Sequence, residues 1–491
     1  MDDSNLWGDS VDDNKVVLWD HQKNTINQAR GALCHGLFHD PGVGKTCTTI
    51  QILRELFTQH TKLLKTLIIC PPIVLYNWKT EFAKFSKINP ESIDVLYGHN
   101  AKRVKLLEDK GFFSGAGIPN IFIVNYEGLL MDNVFDNLMA WQPEVVIADE
   151  LHRCKNPKSK RTKALIKLGD QAKYRYGLTG SPVLNSLMDM FAQIRFLDKG
   201  KTLGSNFFSF RARFMFDKNA RMPKQRYFPN WVPQQGAETR LSTLISPFTS
   251  HVKKEECLDL PPLIEQDIQV EMSPAQAKMY KEMKQDFITW IESQEVVATM
   301  ALTKLLRLQQ MASGFCKTYE GKEIEIEGNP KAEACKELLS DLTEAHKVIV
   351  WCAWKANYAT LRTICEELKI EYRELHGETP PTKKYQYAEE FCKNPKVRVL
   401  ISNPRAAGLG INLVEASYSI VYSRTFSLED EIQGIARNYR SGSEVHQKVT
   451  RINLVTKDTV DEIILDKLKK KEKIGDEVLS QITGRLRMEL E

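Results

Sequence analysis

The stretch His39-Asp40-Pro41-Gly42-Val43-Gly44-Lys45-Thr46 follows an apolar run, residues 31 to 38, and opens into Cys47-Thr48-Thr49-Ile50. A strand, a glycine-bearing turn and a helix start, in that order, make a cradle for phosphate. Glycines let backbone N–H groups close on phosphate oxygens, the helix N-terminus favours negative charge, Lys45 can reach the terminal phosphates and the Thr46 hydroxyl can hold Mg²⁺. Gly42, Val43, Gly44, Lys45 and Thr46 are therefore the expected nucleotide-binding residues, with ATP as ligand. One position departs from the Walker pattern: His39 stands where a glycine is usual, five residues before Gly44.

Residues 144 to 152 supply the second half of such a site. They read Glu-Val-Val-Ile-Ala-Asp-Glu-Leu-His, a buried-strand pattern that ends in adjacent carboxylates. Asp149 at the strand end is placed to hold Mg²⁺, and Glu150 to orient and deprotonate the water that attacks the γ-phosphate.

The elements that must carry these residues alternate. Apolar runs at 67 to 70, 121 to 124, 145 to 148 and 175 to 178 are interleaved with helical patterns such as 100 to 109 and 160 to 168, which predicts a mostly parallel sheet. Residues 1 to 14 are acidic and read as a flexible tail, and lobe one is expected over 15 to 262. Its part from about 186 to 262 is a basic-aromatic insertion, with Lys199, Lys201, Arg211, Arg213, Lys218 and Arg221 among Phe207, Phe208, Phe210, Phe214 and Trp231. Most of those aromatics are expected to form the insertion's own core. A helical connecting region spans 263 to 330, entered by one strand at 264 to 270 and then by Ser273-Pro274-Ala275-Gln276, an N-cap with proline in the first turn, and helical to about Ala312. A second alternation occupies 331 to 475, and 476 to 491 reads as a C-terminal helical tail. The fold class is α/β, two parallel-sheet lobes with helical and basic-aromatic insertions between them.

Composition sets bounds without choosing a function. The chain has 491 residues, 42% of them hydrophobic, and a net charge of +5, too weak by itself to argue nucleic-acid binding. No run approaches a membrane span and the N-terminus lacks the pattern of a signal peptide, so an intracellular protein is expected. The ten cysteines are scattered, with no C-x-x-C pair, and are read as reduced thiols.

Further motifs carry a resemblance. Leu18-Trp19-Asp20-His21-Gln22, Cys70-Pro71-Pro72 with Asn77-Trp78-Lys79, Val124-Asn125-Tyr126-Glu127 and Leu178-Thr179-Gly180-Ser181 lie in the first half; Leu375-His376-Gly377, Ser402-Asn403-Pro404-Arg405 through Gly408-Leu409-Gly410 and Gln433-Gly434-Ile435-Ala436-Arg437-Asn438-Tyr439-Arg440 lie in the second. Together with the phosphate loop and the acidic pair, they make the chain similar to superfamily 2 helicases of the Swi/Snf type over residues 18 to 442. Leu151 and Tyr439 stand where that family usually has Ala and His. The compact frame also resembles Swi/Snf-like helicases of large DNA viruses and bacteriophages, and the insertion resembles a stretch of annealing helicases that remodel forks.

The resemblance implies two RecA-like lobes, with Gln22 reading adenine and Gly410 contacting nucleotide. Arg437 and Arg440 would be arginine fingers on lobe two, completing with Lys45, Asp149 and Glu150 an ATPase that fires on lobe closure. It implies DNA contacts by Trp78, Lys79, Asn125, Thr179, Ser181, Asn403 and Arg405, with Arg211, Arg213 and Phe214 added from the insertion. The expected activity is an ATP- and Mg²⁺-dependent translocase on duplex, forked or four-way DNA, with no membrane partner, protein partners left open and a monomer sufficient. A transcription-coupled or chromatin-type duplex motor, an RNA helicase and a non-hydrolysing nucleic-acid-binding module remain as alternatives.

Overall fold

The computed structural model describes residues 16–111, 121–222, 229–257, 259–292, 298–317, 322–407 and 411–470. The tails at 1–14 and 476–491, and Gly410, lie outside them. Asp259–Lys470 forms one compact unit and the chain before it another.

The first unit is built on a seven-stranded sheet. Its strands are β1 (Cys34–His39), β2 (Thr66–Cys70), β3 (Ile93–Leu96), β4 (Ile121–Asn125), β5 (Val145–Asp149), β6 (Tyr174–Leu178) and, beyond a short hairpin of β7 (Met215–Asp217) with β8 (Trp231–Pro233), β9 (Thr249–Val252). The order is β3-β4-β2-β5-β6-β1-β9 and every pairing is parallel. Helices cover both faces of such a sheet, which is why Leu67-Ile68-Ile69-Cys70 and Ile121-Phe122-Ile123-Val124 are continuous apolar runs and are buried throughout. The carboxyl ends of neighbouring strands gather the loops that follow them, the usual place for a ligand in an open α/β sheet. The phosphate loop follows β1, Asp149 ends β5 and Thr179 follows β6. Three neighbouring strands thus collect three motifs scattered over 140 positions of sequence.

Of the stretch read as an insertion, about 186 to 262, β9 belongs to the main sheet, and the basic-aromatic part is a helix, Phe207–Phe214, packed beside the β7–β8 hairpin. Phe210 and Phe214 are buried in the first unit's apolar core and Phe207 packs against it. A core of the insertion's own was expected; these three aromatics pack instead into the core of the first unit.

The second unit has a six-stranded, all-parallel sheet of β10 (Leu263–Val270), β13 (Val348–Trp351), β14 (Glu371–Leu375), β15 (Val397–Ser402), β16 (Tyr418–Val421) and β17 (Val449–Thr456), in the order β10-β17-β16-β13-β15-β14. A small hairpin of β11 (Phe315–Lys317) and β12 (Glu323–Glu325) precedes β13. β10, read from the sequence as the entry to a connecting region, is an edge strand of this sheet, paired with β17 over its whole length. The helical stretch after it is two helices, Pro274–Glu292 and Ala298–Ala312, and both are tied to the second unit. Tyr280 Oη accepts from Val460 N at 2.9 Å and Gln309 Nε2 donates to Arg424 O at 2.6 Å.

Candidate nucleotide site and its family

The phosphate loop is built as its residue types dictate. β1 ends at His39, and the helix α2 (Lys45–His60) follows α1 (Asp20–Ala29) across the loop. Gly42 and Gly44 have φ of +95° and +80°, the left-handed region that glycine enters without steric cost. At Gly44 a Cβ would also lie 2.4 Å from Gln22 Nε2, so a side chain there would displace the Gln22 amide. Gln22 is buried, accepts Trp19 N at 2.9 Å and donates to Gly44 O at 3.4 Å, while His21 Nε2 donates to Val43 O at 2.9 Å. The start of α1 therefore braces the loop from behind. Lys45 Nζ donates to the carbonyls of His39 at 2.7 Å and Asp40 at 3.0 Å, so its ammonium sits at the base of the cradle.

Asp149 and Glu150 stand at the end of β5, each half-buried. Burial, and then the neighbouring Glu150 charge, push the Asp149 carboxyl up to about 6; the indole N–H of Trp78, donating to Oδ2 at 3.0 Å, and the Lys45 charge oppose that rise. A carboxylate whose charge is disfavoured by its surroundings gains from a counter-cation. Mg²⁺ keeps several waters and binds through one or two carboxylates plus substrate phosphates rather than in an all-protein cage. Asp149 with Thr46 suits that mode, and among the described residues no cluster of His, Cys, Asp or Glu forms a cage.

Glu150 takes φ of +55°, a strained value for a residue with a side chain. The turn it makes points the next residues back into the lobe. His152 Nδ1 lies 3.3 Å from Glu150 Oε2 and 2.8 Å from Thr179 Oγ1, and Thr179 Oγ1 in turn accepts Ser181 N at 3.1 Å. A buried histidine thus joins the carboxylate that would handle water to the segment after β6.

Placement corrects part of the sequence reading. Trp78, Asn125, Thr179 and Phe214 were expected to touch DNA, and all four are buried, Trp78 at 1% exposure and Phe214 at 0%. In this structure these four side chains are turned to partners within the first unit. Trp78 holds Asp149; Asn125 accepts Arg103 Nη1 at 2.7 Å and donates to Glu127 Oε2 at 2.8 Å; Thr179 serves His152; Phe214 is core. Lys79 is half-buried, with Nζ donating to Ile93 O at 3.1 Å, and Ser181 is half-buried. Arg213 is exposed, and Arg211 lies with its guanidinium 3.9 Å from the Trp231 ring centre and 5.2 Å from that of Phe208.

In the second unit Arg405 is exposed and its Nε donates to Asp430 Oδ1 at 2.8 Å, while half-buried Asn403 caps the same turn by accepting Arg405 N at 2.9 Å. Arg437 and Arg440 lie at and just past the end of the helix Leu428–Asn438; Arg437 is buried and Nη1 donates to Ile411 O at 3.3 Å. Two residues that sequence reasoning passed over are His152 as a partner of Glu150 and Trp78 as a partner of Asp149. The first is legible in its i, i+2 spacing; the second, 71 positions away, is not.

Comparison with known proteins places this arrangement. Residues 16–318 match the family model of the SNF2-related domain, and residues 330–442 match that of the helicase conserved C-terminal domain. The chain belongs to the SNF2-related family. It is accordingly an enzyme of the ATPase and helicase class, built as two parallel-sheet lobes, and use of a nucleotide comes with that membership. Putative protein p41 of Acyrthosiphon pisum secondary endosymbiont phage 1 is 26% identical over 451 residues, covering 89% of this chain and 92% of that protein. The CHD3-type chromatin-remodeling factor PICKLE of Arabidopsis thaliana is 25% identical and an uncharacterized ATP-dependent helicase of Mycoplasma pneumoniae 26%, matched over 89% and 97% of this chain. This SNF2-related chain spans only 32% and 44% of those two proteins. A solved Sulfolobus solfataricus SWI2/SNF2 ATPase core in complex with dsDNA aligns over 98% of this chain and 95% of its own at 26% identity and a TM-score of 0.43. Among the described residues no helix is long and apolar enough to cross a membrane.

Proposed function

We propose that this SNF2-related chain is an ATP-driven translocase on double-stranded DNA, and that its task is the remodelling of branched DNA, as in fork reversal or branch migration. In this reading Lys45 binds the terminal phosphates, and Thr46 and Asp149 hold Mg²⁺, which neutralises charge on the phosphate oxygens. Glu150 takes the proton of the attacking water, and His152 fixes the carboxylate's orientation. Arg437 and Arg440 supply positive charge to the transferring phosphoryl group, a contribution on the order of 10³ to 10⁵ in rate for arginine fingers. Coupling of each hydrolysis to movement along the duplex would then follow from alternate binding and release of nucleotide.

The observation that carries the branched-DNA reading is the exposed cationic and aromatic face of the insertion. Phe208 is 57% exposed, with the Arg211 guanidinium 5.2 Å and the Lys158 ammonium 5.8 Å from its ring centre, and Arg213, further along the same helix, is exposed with its guanidinium 5.1 Å from the Phe214 ring centre. Cations neutralise phosphates while an exposed ring offers a stacking face to an unpaired base. With Phe214 buried, Phe208 takes over the role of the aromatic contact.

The deciding measurement compares ATPase rates with duplex, single-stranded, forked and four-way DNA and with RNA, and four-way-junction processing, for the parent chain and for Arg211→Ala with Arg213→Ala. Branch processing should fall several-fold more than duplex-stimulated ATPase at matched salt. Parallel loss, or no loss, rejects the branch-specific task and leaves a general duplex motor; stimulation by RNA alone rejects DNA as the track.

A further inference from the structure

The one residue of the phosphate loop that departs from the Walker pattern has a built environment. His39 is fully buried at the end of β1, and its carbonyl accepts from the Lys45 ammonium at 2.7 Å, closer than the 3.0 Å to Asp40 O. Its Nε2 lies 2.8 Å from Ser250 Oγ and 3.4 Å from Thr25 Oγ1. Ser250 stands opposite Leu37 in the β1–β9 pairing, midway between His35 and His39, and its Oγ also lies 3.1 Å from His35 Nε2. Residues alternate faces along a strand, so 35, 37 and 39 share one face of β1, with the serine between the two rings.

The protons in this chain have assignable positions. Thr25 Oγ1 donates its hydrogen to His21 O at 2.9 Å, so towards His39 it accepts, and the tautomer that makes both contacts carries its proton on His39 Nε2. Ser250 then accepts from His39 and gives its own proton to His35 Nε2. Both rings are neutral: burial pushes His35 down to about 4 and holds His39 well below its usual value, with Lys45, His21, His35 and His251 as the cationic or titratable neighbours of His39. Two backbone links close the same junction. Asp40 N donates to Val252 O at 2.9 Å, and Lys254 N donates to Asp40 Oδ2 at 3.1 Å.

The Nδ1 atoms of His35 and His39 are buried without a hydrogen-bond partner among the described residues, and buried unpaired polar atoms cost stability that apolar residues would not. What the arrangement does provide is a fixed position for the carbonyl on which Lys45 rests. We propose that His39 and Ser250 are positioning residues for ATP: the hydrogen-bonded chain His39–Ser250–His35 clamps the base of the phosphate loop to β9 and sets the place of the Lys45 ammonium. The proposal rests on the reading of Lys45 as a phosphate ligand.

Two pairs of variants in the full chain test it. Ser250→Ala removes the hydroxyl and Ser250→Thr keeps one; His39→Leu removes the donor and His39→Gln returns an N–H at similar reach. KM for ATP, kcat with saturating duplex DNA, and the rise in melting temperature produced by ATP are measured, with nucleotide-free melting as the control for folding. Ser250→Ala and His39→Leu should raise KM about five- to tenfold, the scale of one lost buried hydrogen bond, and shrink the ATP-induced rise. Ser250→Thr and His39→Gln should stay within about twofold of the parent chain, as expected where the hydrogen bond is kept. Parent-like KM and ATP-induced rise in both loss variants overturn the proposal, whatever their nucleotide-free melting temperature, and so does equal damage in the paired conservative variants. If one loss variant does not fold, the other pair decides alone. Lys45→Ala, run alongside, separates the two readings: full hydrolysis by it rejects the phosphate-loop assignment, whereas its inactivity beside normal Ser250→Ala and His39→Leu rejects only the clamp.

Discussion

Replacing Trp78 by Phe should move the acid limb of the ATPase pH profile upward. The indole N–H donates to Asp149 Oδ2 at 3.0 Å from a side chain 1% exposed, so the bond is shielded from water and Phe cannot replace it. A hydrogen bond to a charged group contributes about 1.5 to 3 kcal/mol, and one pKa unit corresponds to about 1.4 kcal/mol, so losing this one should raise the Asp149 pKa by roughly 1 to 2 units. Asp149 is already pushed up to about 6 by burial and by Glu150. Since the carboxylate must be ionised to hold Mg²⁺, activity is present above its pKa and lost as pH falls through it. The limb of kcat/KM for ATP should therefore lie near 6 in the parent chain, above the ordinary aspartate range, and near 7 to 8 in Trp78→Phe, given the shift expected from the lost bond. Rates are taken from pH 5 to 9 at fixed free Mg²⁺, and raising Mg²⁺ should pull both limbs back down, because metal and proton compete for one carboxylate. A limb within about 0.3 units of the parent, or one displaced downward, refutes the assignment of Trp78 as the group that keeps Asp149 ionised, since about 0.4 kcal/mol is too little for such a bond.

Three further outcomes are expected. Lys45→Ala should weaken nucleotide binding whereas Glu150→Gln should bind ATP without hydrolysing it, read as retained ATP-induced stabilisation with turnover reduced at least about 10²-fold, the scale of a lost general base. Arg437→Ala should lower turnover by on the order of 10³ while DNA affinity is kept, and loss of DNA binding with turnover per bound complex unchanged would make it a backbone contact instead. Asp461→Ala should destabilise the second unit by about 3 to 5 kcal/mol in denaturant titration, since it strands Lys331, whose ammonium is buried and 2.5 Å from Asp461 Oδ2, and Lys331→Met with Asp461→Leu should recover most of that loss.

Much of the first unit was legible because its signals are local. The buried strands read as continuous apolar runs, and the phosphate loop as two glycines at positions that prove to need positive φ. The same holds for the insertion: Phe207, Phe210 and Phe214 recur at i, i+3 and i+7, the spacing of one helix face, and that face is core. Reading Phe214 as a DNA contact set a motif likeness above this periodicity, and the periodicity was the better guide. What was not legible is pairing at a distance. Nothing near Trp78 signals Asp149, nothing near His39 signals Ser250, 211 positions on, and β10 joins the second sheet through a partner strand almost two hundred residues later. Such contacts are set by sheet order, which a single sequence does not state.

The departures from the family's usual residues are informative for the same reason, because each has a local counterpart in space. Leu151, where Ala is usual, is fully buried behind the acidic pair, and its Cδ2 lies 2.4 Å from where a Cβ would stand at Gly177 on β6. The larger side chain is accommodated because the neighbouring strand gives up a methyl group, so β5 and β6 keep their spacing and Asp149 stays opposite Leu178. His39 brings a polar ring into the sheet and is met by Ser250 and Thr25. Tyr439, where His is usual, is buried at 5% exposure, and its backbone N–H closes the helix Leu428–Asn438 by donating to Ile435 O at 3.0 Å, so the turn carrying Arg437 and Arg440 is formed without the imidazole. A chain drifting towards a non-hydrolysing binding module would accumulate substitutions at Lys45, Asp149, Glu150 or Arg437 with no such counterparts. Here those four residues are intact, and the changes lie around them, each fitted to its neighbours, which is the pattern expected where the geometry of hydrolysis is still being held.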